Sequence, residues 1–402
     1  MKEYQPIRNI FLVLTHRCNL ECKYCFVHQG ETDMPLQIAL DSVDFVSKNL
    51  KQNQTSSICF FGGEPLLRWS DIIVPTVLYT KKMYPDKNIK FSITTNCVLL
   101  DDEKLQFIKE HNIGLLTSID GAPETQNYNR PFHGGKGSSQ IVEKNIKNML
   151  SQGKFSTFRS TIYPPTCHLL FDNYKYAIEL GYKSMFFTND SFSEWSKENN
   201  IAVEEQLMKI ADHYINYWKE NNSAPISITA VEKYFRMILD DRKRLSEGQP
   251  LLNRTNKGKC GYGQSCSAAV SPTGELYGCQ ELTSNDGQKS IFWIGNIYTG
   301  TDNSRREQLA ELFDQTSKSG DINCDDCECK SICCGGCVAN NYMQTGDLNH
   351  CSSAYCENMR QIYRMANYII DKLQDNEEFL KYASKTGKQG RCNACQKCQN
   401  NQ

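Results

Sequence analysis

Between residues 8 and 187 the chain switches repeatedly between two hydrophobic periods. Short β-branched or aromatic runs occur at Asn9–Leu14, Ser57–Phe61, Ile89–Thr94, Gly114–Ser118, Phe155–Ile162 and Ser184–Phe187. Between them, near 35–50, 69–84, 101–111, 137–151 and 168–180, apolar residues recur with helical spacing. This alternation predicts βα units on a parallel sheet. Six strand-like runs are visible, so the expected fold is α/β, with a partial (β/α)6 TIM barrel over residues 1–200. Such a barrel carries its chemistry at the carboxyl ends of the strands. Residues 201–255 read as a helical bridge. Within it, Leu207, Ile210, Tyr214 and Trp218 share one face of a helical pattern over 201–246, and Ser246-Glu-Gly-Gln-Pro250 breaks it. A small cysteine-rich α+β region is expected over 256–373, closed by a helix at about Met359–Leu373. Residues 374–402 read as a polar, Cys-containing tail, loosely held from 384 onward.

Charge and hydropathy narrow the functional classes. Lys plus Arg number 45 and Asp plus Glu 46, a formal net charge of −1. That balance argues against nucleic acid or an anionic membrane as a partner. Mean hydropathy is −0.55. No apolar run approaches the roughly 20 residues of a membrane span, and the N-terminus lacks a signal-peptide core. A cytoplasmic location is the expectation.

Cysteine changes the picture. There are 20 in 402 residues. In a cytosolic chain of this size that usage reads as metal binding or redox chemistry rather than disulfides. Cys18, Cys22 and Cys25 lie together directly after the first strand-like run. Cys59, Cys97 and Cys167 are scattered in or beside strands and read as small core residues, although Cys97 follows Asn96 at the active face. The other fourteen lie between Cys260 and Cys398.

Cys18-Asn-Leu-Glu-Cys22-Lys-Tyr-Cys25 is a Cys-x3-Cys-x2-Cys loop. Three thiolates can hold three irons of a 4Fe–4S cluster and leave the fourth open. A zinc site would use the same thiolates with His16 or His28 as a fourth ligand. The loop, with Tyr24 between its second and third cysteines, resembles that of the radical SAM superfamily, in which S-adenosylmethionine (SAM) chelates the open iron. Further motifs match at successive strand ends: Gly62-Gly63-Glu64-Pro65, Thr94-Thr95-Asn96, Ser118-Ile-Asp120-Gly121 and Arg130. The resemblance implies that Tyr24, Gly62, Gly63, Glu64, Asn96, Ser118, Asp120 and Arg130 hold SAM. Glu64 would meet its ammonium and Arg130 its carboxylate. It implies reductive cleavage of SAM to a 5′-deoxyadenosyl radical that abstracts hydrogen from substrate. A flavodoxin- or ferredoxin-like protein would supply the electron.

The later cysteines resemble the SPASM domain, a module with two auxiliary 4Fe–4S clusters. Cys260 and Cys266 are followed by Gly274 and Cys279, then by Cys324-x2-Cys327-x5-Cys333-x3-Cys337 and Cys356. Carried over residue by residue, the resemblance gives one cluster Cys260, Cys266, Cys279 and Cys337. It gives the other Cys324, Cys327, Cys333 and Cys356, for three clusters in all. Cys329, Cys334 and Cys351 are also near; Cys333 and Cys356 keep the family spacing. Two zinc ribbons are the alternative. Cys392, Cys395 and Cys398 have no counterpart in the pattern and read as surface thiols or a further metal site.

SPASM-type radical SAM enzymes mostly act on peptides or proteins. The sulfatase-maturing group resembles this chain in its auxiliary spacing, but places an aspartate base where Gln280 stands. An amide is no proton acceptor at neutral pH, though Glu281 adjoins it. Gln280 and Glu281 are therefore the candidate substrate-facing pair. The expected activity is a maturase that installs a crosslink, through cysteine sulfur, in a ribosomally made precursor peptide. Formylglycine formation on a sulfatase is the alternative, and an iron–sulfur electron carrier is the non-enzymatic one. The triad starts at residue 18, so a leader peptide is expected to dock on a sheet edge or through a separate recognition protein. Arg242-Lys-Arg244, with Arg254, Lys257 and Lys259, reads as a solvated surface; an acidic leader is the sharper use for it.

Overall fold

A computed structural model describes residues 4–251, 266–283, 290–314, 324, 326–333 and 335–387. Six strands run parallel and in chain order: β1 (Asn9–Val13), β2 (Thr55–Phe61), β3 (Asn88–Thr95), β4 (Gly114–Ser118), β5 (Phe158–Ile162) and β6 (Ser184–Asn189). Helices separate them: α1 (Leu36–Asn49), α2 (Val74–Met83), α3 (Asp102–Glu110), α4 (Pro123–Asn129), α5 (Ser139–Ser151) and α6 (Leu170–Glu179). In β3 the alternation is visible in the burial of Phe91, Ile93 and Thr95. The fifth strand starts three residues later than its apolar run suggests, because Phe155 is 58% exposed. The fold is the partial barrel read from the periodicity.

The barrel does not close. A two-residue strand β7 (Ser227–Ile228) adds beyond β6. On the other edge, β8 (Ser267–Val270) pairs parallel with β1. Strands β9 (Glu275–Tyr277), β10 (Trp293–Asn296) and β11 (Gly300–Thr301) continue antiparallel from it, making one 11-stranded sheet. The strands of the cysteine-rich region thus extend the barrel sheet.

The pattern over 201–246 is not one helix. α7 (Lys197–Asn221) starts at a Ser196 capping box and ends where Asn222 turns left-handed at φ 50°. Pro225 follows, and the chain makes β7 before α8 (Thr229–Glu232) and α9 (Phe235–Ser246). Val203, Leu207, Ile210, Tyr214 and Trp218 are the buried stripe of α7. The remaining helices are α10 (Asn303–Asp314), α11 (Val338–Thr345), α12 (Ser353–Lys372) and α13 (Glu377–Ala383). α13 corrects the expectation of a polar tail from residue 374. Phe379 is fully buried, 5.5 Å edge-on to Trp218 and 5.5 Å from Phe235. Residues 388–402, with the three last cysteines, lie outside the described residues. Among the described residues no helix is long and apolar enough to cross a membrane.

Candidate active site

After β1 the chain makes an irregular excursion that returns at Asp33. Thr15 donates its hydroxyl to Asp33 and accepts from the Arg17 amide at 3.0 Å. Arg17 pairs with Asp33, and Arg68 lies 3.4 Å from the same carboxylate. Burial works against the Asp33 charge, but the hydrogen bonds from Thr15 and Arg17 win and hold its carboxyl below the usual range. The far side of the excursion is fastened by backbone hydrogen bonds, Glu21 to Pro131 at 2.8 Å and Lys23 to Asn129 at 2.9 Å. Leu20, fully buried, pairs with Phe132 at an isolated bridge. Cys18, Cys22 and Cys25 sit on the loop so tied.

The end of β2 is pressed against this loop. The Gly63 amide donates to Thr15 at 2.7 Å and the Glu64 amide to Arg17 at 2.9 Å. Gly62 has φ +136°, and a Cβ there would come within 2.4 Å of the Thr15 carbonyl oxygen. A Cβ on Gly63 would lie 2.2 Å from the Arg17 carbonyl oxygen. Only glycine permits this approach. Glu64 is buried, and three donors of the chain occupy its carboxyl: Leu66 N at 3.0 Å, Thr95 Oγ1 at 2.9 Å and Asn96 N at 2.8 Å. Burial raises its pKa to about 7 despite these bonds. Asn96 in turn donates to Asn19 at 2.7 Å and reaches the Cys18 sulfur at 3.7 Å.

The third support lies beyond β4. Asp120 is wholly buried and accepts from the Tyr24 hydroxyl, from Asn129 at 3.0 Å and from the Thr161 amide at 3.0 Å. Arg130 Nε is 3.1 Å from Asp120 Oδ1, its Cζ stands 5.4 Å from the Tyr24 ring centre, and Nη1 is 3.9 Å from the Cys22 sulfur. The resemblance gave Tyr24, Asp120 and Arg130 contacts to SAM. Here they are bound to one another beneath the cysteine loop. Ser118, half-buried at the end of β4, faces Arg159 of β5 in register.

The donor set fits a cluster. The three thiols lie within electrostatic reach of one another. Burial pushes Cys18 up to about 11 and Cys22 up to about 12, and raises Cys25 as well. Iron binding must therefore displace protons. Leu20 N points at the Cys18 sulfur at 3.4 Å, a bond that strengthens on ionisation. Among the described residues no group of three or more His, Cys, Asp or Glu side chains is placed to hold a single metal ion. His16 is buried, its Nε2 has no hydrogen-bond partner, and burial lowers its pKa.

A cavity of about 410 Å³ opens between this loop and the second region, lined by His16, Phe26 and Gly62 on one side and Gln280, Glu281 and Tyr342 on the other. The structure thus brings the candidate pair to the site. Gln280 Oε1 lies 3.7 Å from the Cys279 sulfur. Burial raises the Glu281 pKa, with Arg159 opposing.

In the second region Cys266 is fully buried before β8, 3.4 Å from Asn9 Nδ2, while Cys279 and Cys337 pack against the core that holds β1, β2 and β8. Cys260 and Cys334 lie outside the described residues. Cys327 and Cys329 sulfurs are 3.4 Å apart. Cys333 and then burial push the Cys329 thiol far up; Cys356 and then burial do so for Cys351, with Cys324 in reach. So Cys329 and Cys351 lie beside Cys324, Cys327, Cys333 and Cys356. The loop-bracing Asp33 and Arg68, and Arg159 in the barrel, were not singled out in the sequence. None carries a motif, and only the folded register reveals them.

The sequence pattern of the radical SAM superfamily matches residues 12–166. A cysteine-type anaerobic sulfatase-maturating enzyme of Clostridium perfringens is 24% identical over 355 residues, 83% of this chain and 89% of that protein. The radical SAM cyclopropyl synthase TigE of Paramaledivibacter caminithermalis is 21% identical over 388 residues, 90% of this chain and 74% of that one. Native anSMEcpe, solved with AdoMet and the Cp18Cys peptide, superposes with a TM-score of 0.74 at 21% identity, covering 92% of this chain and 99% of that one.

Proposed function

Given that the chain carries a radical SAM domain, we propose that it is a maturase that crosslinks a ribosomally made peptide through cysteine sulfur. The observation that carries the peptide reading is the cavity between the cysteine loop and Gln280-Glu281. It is open and partly apolar, and it is walled by both halves of the chain, as a peptide segment requires. The kinship with peptide- and protein-modifying relatives supports it.

In this reading Cys18, Cys22 and Cys25 hold a 4Fe–4S cluster. Bound there with SAM, it would supply one-electron reductive radical chemistry. The chain's own part is positioning. Gly62 and Gly63 let the β2 end close on the cysteine loop. Asn96 and Arg130 reach two of the sulfurs, and Ser118 offers a hydroxyl at the β4 end. Glu64 acts as a brace, since its oxygens already hold the β3 end. Cys266, Cys279 and Cys337, with Cys260, would hold a first auxiliary cluster. Cys324, Cys327, Cys333 and Cys356 would hold a second. A flavodoxin- or ferredoxin-like protein would deliver electrons.

Crosslinking is preferred to formylglycine formation because the residue after Cys279 is Gln280, an amide that takes no proton. Glu281 favours the second reading. It lines the cavity and its raised pKa brings it nearer to proton transfer at neutral pH. One experiment separates them. Short Cys-containing peptides, a sulfatase peptide and any candidate encoded near the gene among them, are incubated anaerobically with enzyme, SAM and reductant, and their intact masses are read. Loss of two hydrogens with loss of an alkylatable thiol supports the crosslink. Exchange of a thiol for an aldehyde oxygen on a sulfatase peptide supports the alternative. Peptides all unchanged, with 5′-deoxyadenosine still made, overturn the peptide substrate.

A further inference from the structure

We propose that Arg159 binds a carboxylate of the substrate, so that the peptide taken here carries an Asp, Glu or C-terminal carboxylate beside the residue that is modified. The inference rests on the peptide reading above.

On β5, Phe158, Ser160 and Ile162 form the buried face and Arg159 with Thr161 the other. Arg159 stands level with Ser118 at the end of β4 and with Phe186 of β6. Its guanidinium lies 4.2 Å above the Phe186 ring. Nη1 is sealed from solvent without a hydrogen-bond partner. Among the described residues the guanidinium makes no hydrogen bond or ion pair. Its acidic neighbours act on it without forming an ion pair. Asp120 is held by Arg130, and Glu281 acts on Arg159 only through space. Lys233 approaches the same Phe186 ring at 5.7 Å.

A guanidinium N–H sealed from solvent without a hydrogen bond is costly. Arginine also offers parallel N–H groups that match the two oxygens of a carboxylate. The site therefore lacks one component, and a substrate carboxylate supplies it. Arg130, already beside the Cys22 sulfur, is the arginine placed for the cofactor. Arg159 sits over β6, within electrostatic reach of Glu281, which lines the cavity. A neutral amide in its place leaves the cation unpaired, and this builds in discrimination.

The test uses reconstituted holoenzyme with SAM and a pool of random Cys-containing decapeptides, captured anaerobically and sequenced by mass spectrometry. The wild type is expected to enrich Asp and Glu near the cysteine about tenfold over the starting pool, the worth of one charged hydrogen-bonded pair. Arg159→Gln is expected to lose the enrichment, and Arg159→Lys to keep part of it. Capture without acidic enrichment by the wild type overturns the proposal and leaves the peptide reading standing. Capture of no peptide by any form, with 5′-deoxyadenosine still produced, overturns both. SAM affinity is measured on the same preparations. A rise in SAM Kd as large as the lost enrichment would assign the carboxylate to SAM and overturn the proposal.

Discussion

The two cysteine-bearing regions are built on opposite plans. The first loop is held by protein alone. Gly63, Asn96 and the Asp120–Arg130 pair fasten it to the ends of β2, β3 and β4, Asp33 ties its return, and the thiols only ride on it. In the second region the thiols touch each other. Cys329 meets Cys327 and Cys333, Cys351 meets Cys356, and the described residues from Cys324 to Cys337 form turns without strand or helix. On the proposed reading the difference follows from what each region would hold. A site that must place a reacting atom is pre-organised by scaffold. A site that only holds a fully ligated metal group can leave its folding to the metal.

The largest effect should come from attacking the scaffold of the first region. Gly63→Ala drives a Cβ into the Arg17 backbone, which cannot yield without moving the cysteine loop. We expect SAM cleavage, followed as 5′-deoxyadenosine by chromatography, to drop by about a hundredfold. The iron of the second region should stay. A drop under tenfold would mean that the loop adapts and the contrast is weaker than drawn.

Removing iron by chelation probes the other side. Amide hydrogen exchange should rise by orders of magnitude between Cys327 and Cys337, while the amides of Gly63, Glu64 and Asn96 keep their protection. Equal loss in both regions would erase the difference.

A packing change distant from both should act on stability alone. Phe379→Ala empties the pocket between Trp218 and Phe235 and should cost about 3–5 kcal/mol, read as a lower denaturation midpoint. Slower SAM cleavage per folded molecule would show that α13 reaches the site.

The smallest effect concerns the buried Glu64 brace. Burial raises its folded pKa to about 7, above the ordinary 4.5. The folded chain then holds the proton more tightly than the unfolded one. Glu64 therefore makes stability fall as pH rises from about 4.5 to about 7, by at most about 1.4 kcal/mol per pH unit. Glu64→Gln should flatten this decline in a series of thermal midpoints. An unchanged slope would place the proton elsewhere.

The barrel was legible because each of its six strands has its own apolar run with a helical period behind it. The Gly114–Ser118 run became β4 without shift. The cysteine loop and the Gly62–Glu64 turn were legible because sulfur and glycine are needed there for one chemical reason each. Other features depend on contacts between distant residues. The turn at Asn222 interrupts a stripe that stays apolar on both sides, so periodicity ran through it. α13 is short and lies in a polar stretch of sequence, and Phe379 buried against α7 and α9, with Ala383 buried and Tyr382 on Trp218, makes it part of the fold. β8 joins β1 across more than half the chain, a pairing with no local signal. Tyr24, Asp120 and Arg130 were each visible, but their mutual bonding was not.

The central claim is that Cys18, Cys22 and Cys25 form the site of SAM cleavage and that the second region binds its metal independently. The direct test changes these three cysteines together to Ala and measures iron content and 5′-deoxyadenosine on the same anaerobic preparation. The account predicts no 5′-deoxyadenosine and the loss of one cluster's iron, with the rest retained. Undiminished cleavage of SAM in that variant would contradict it.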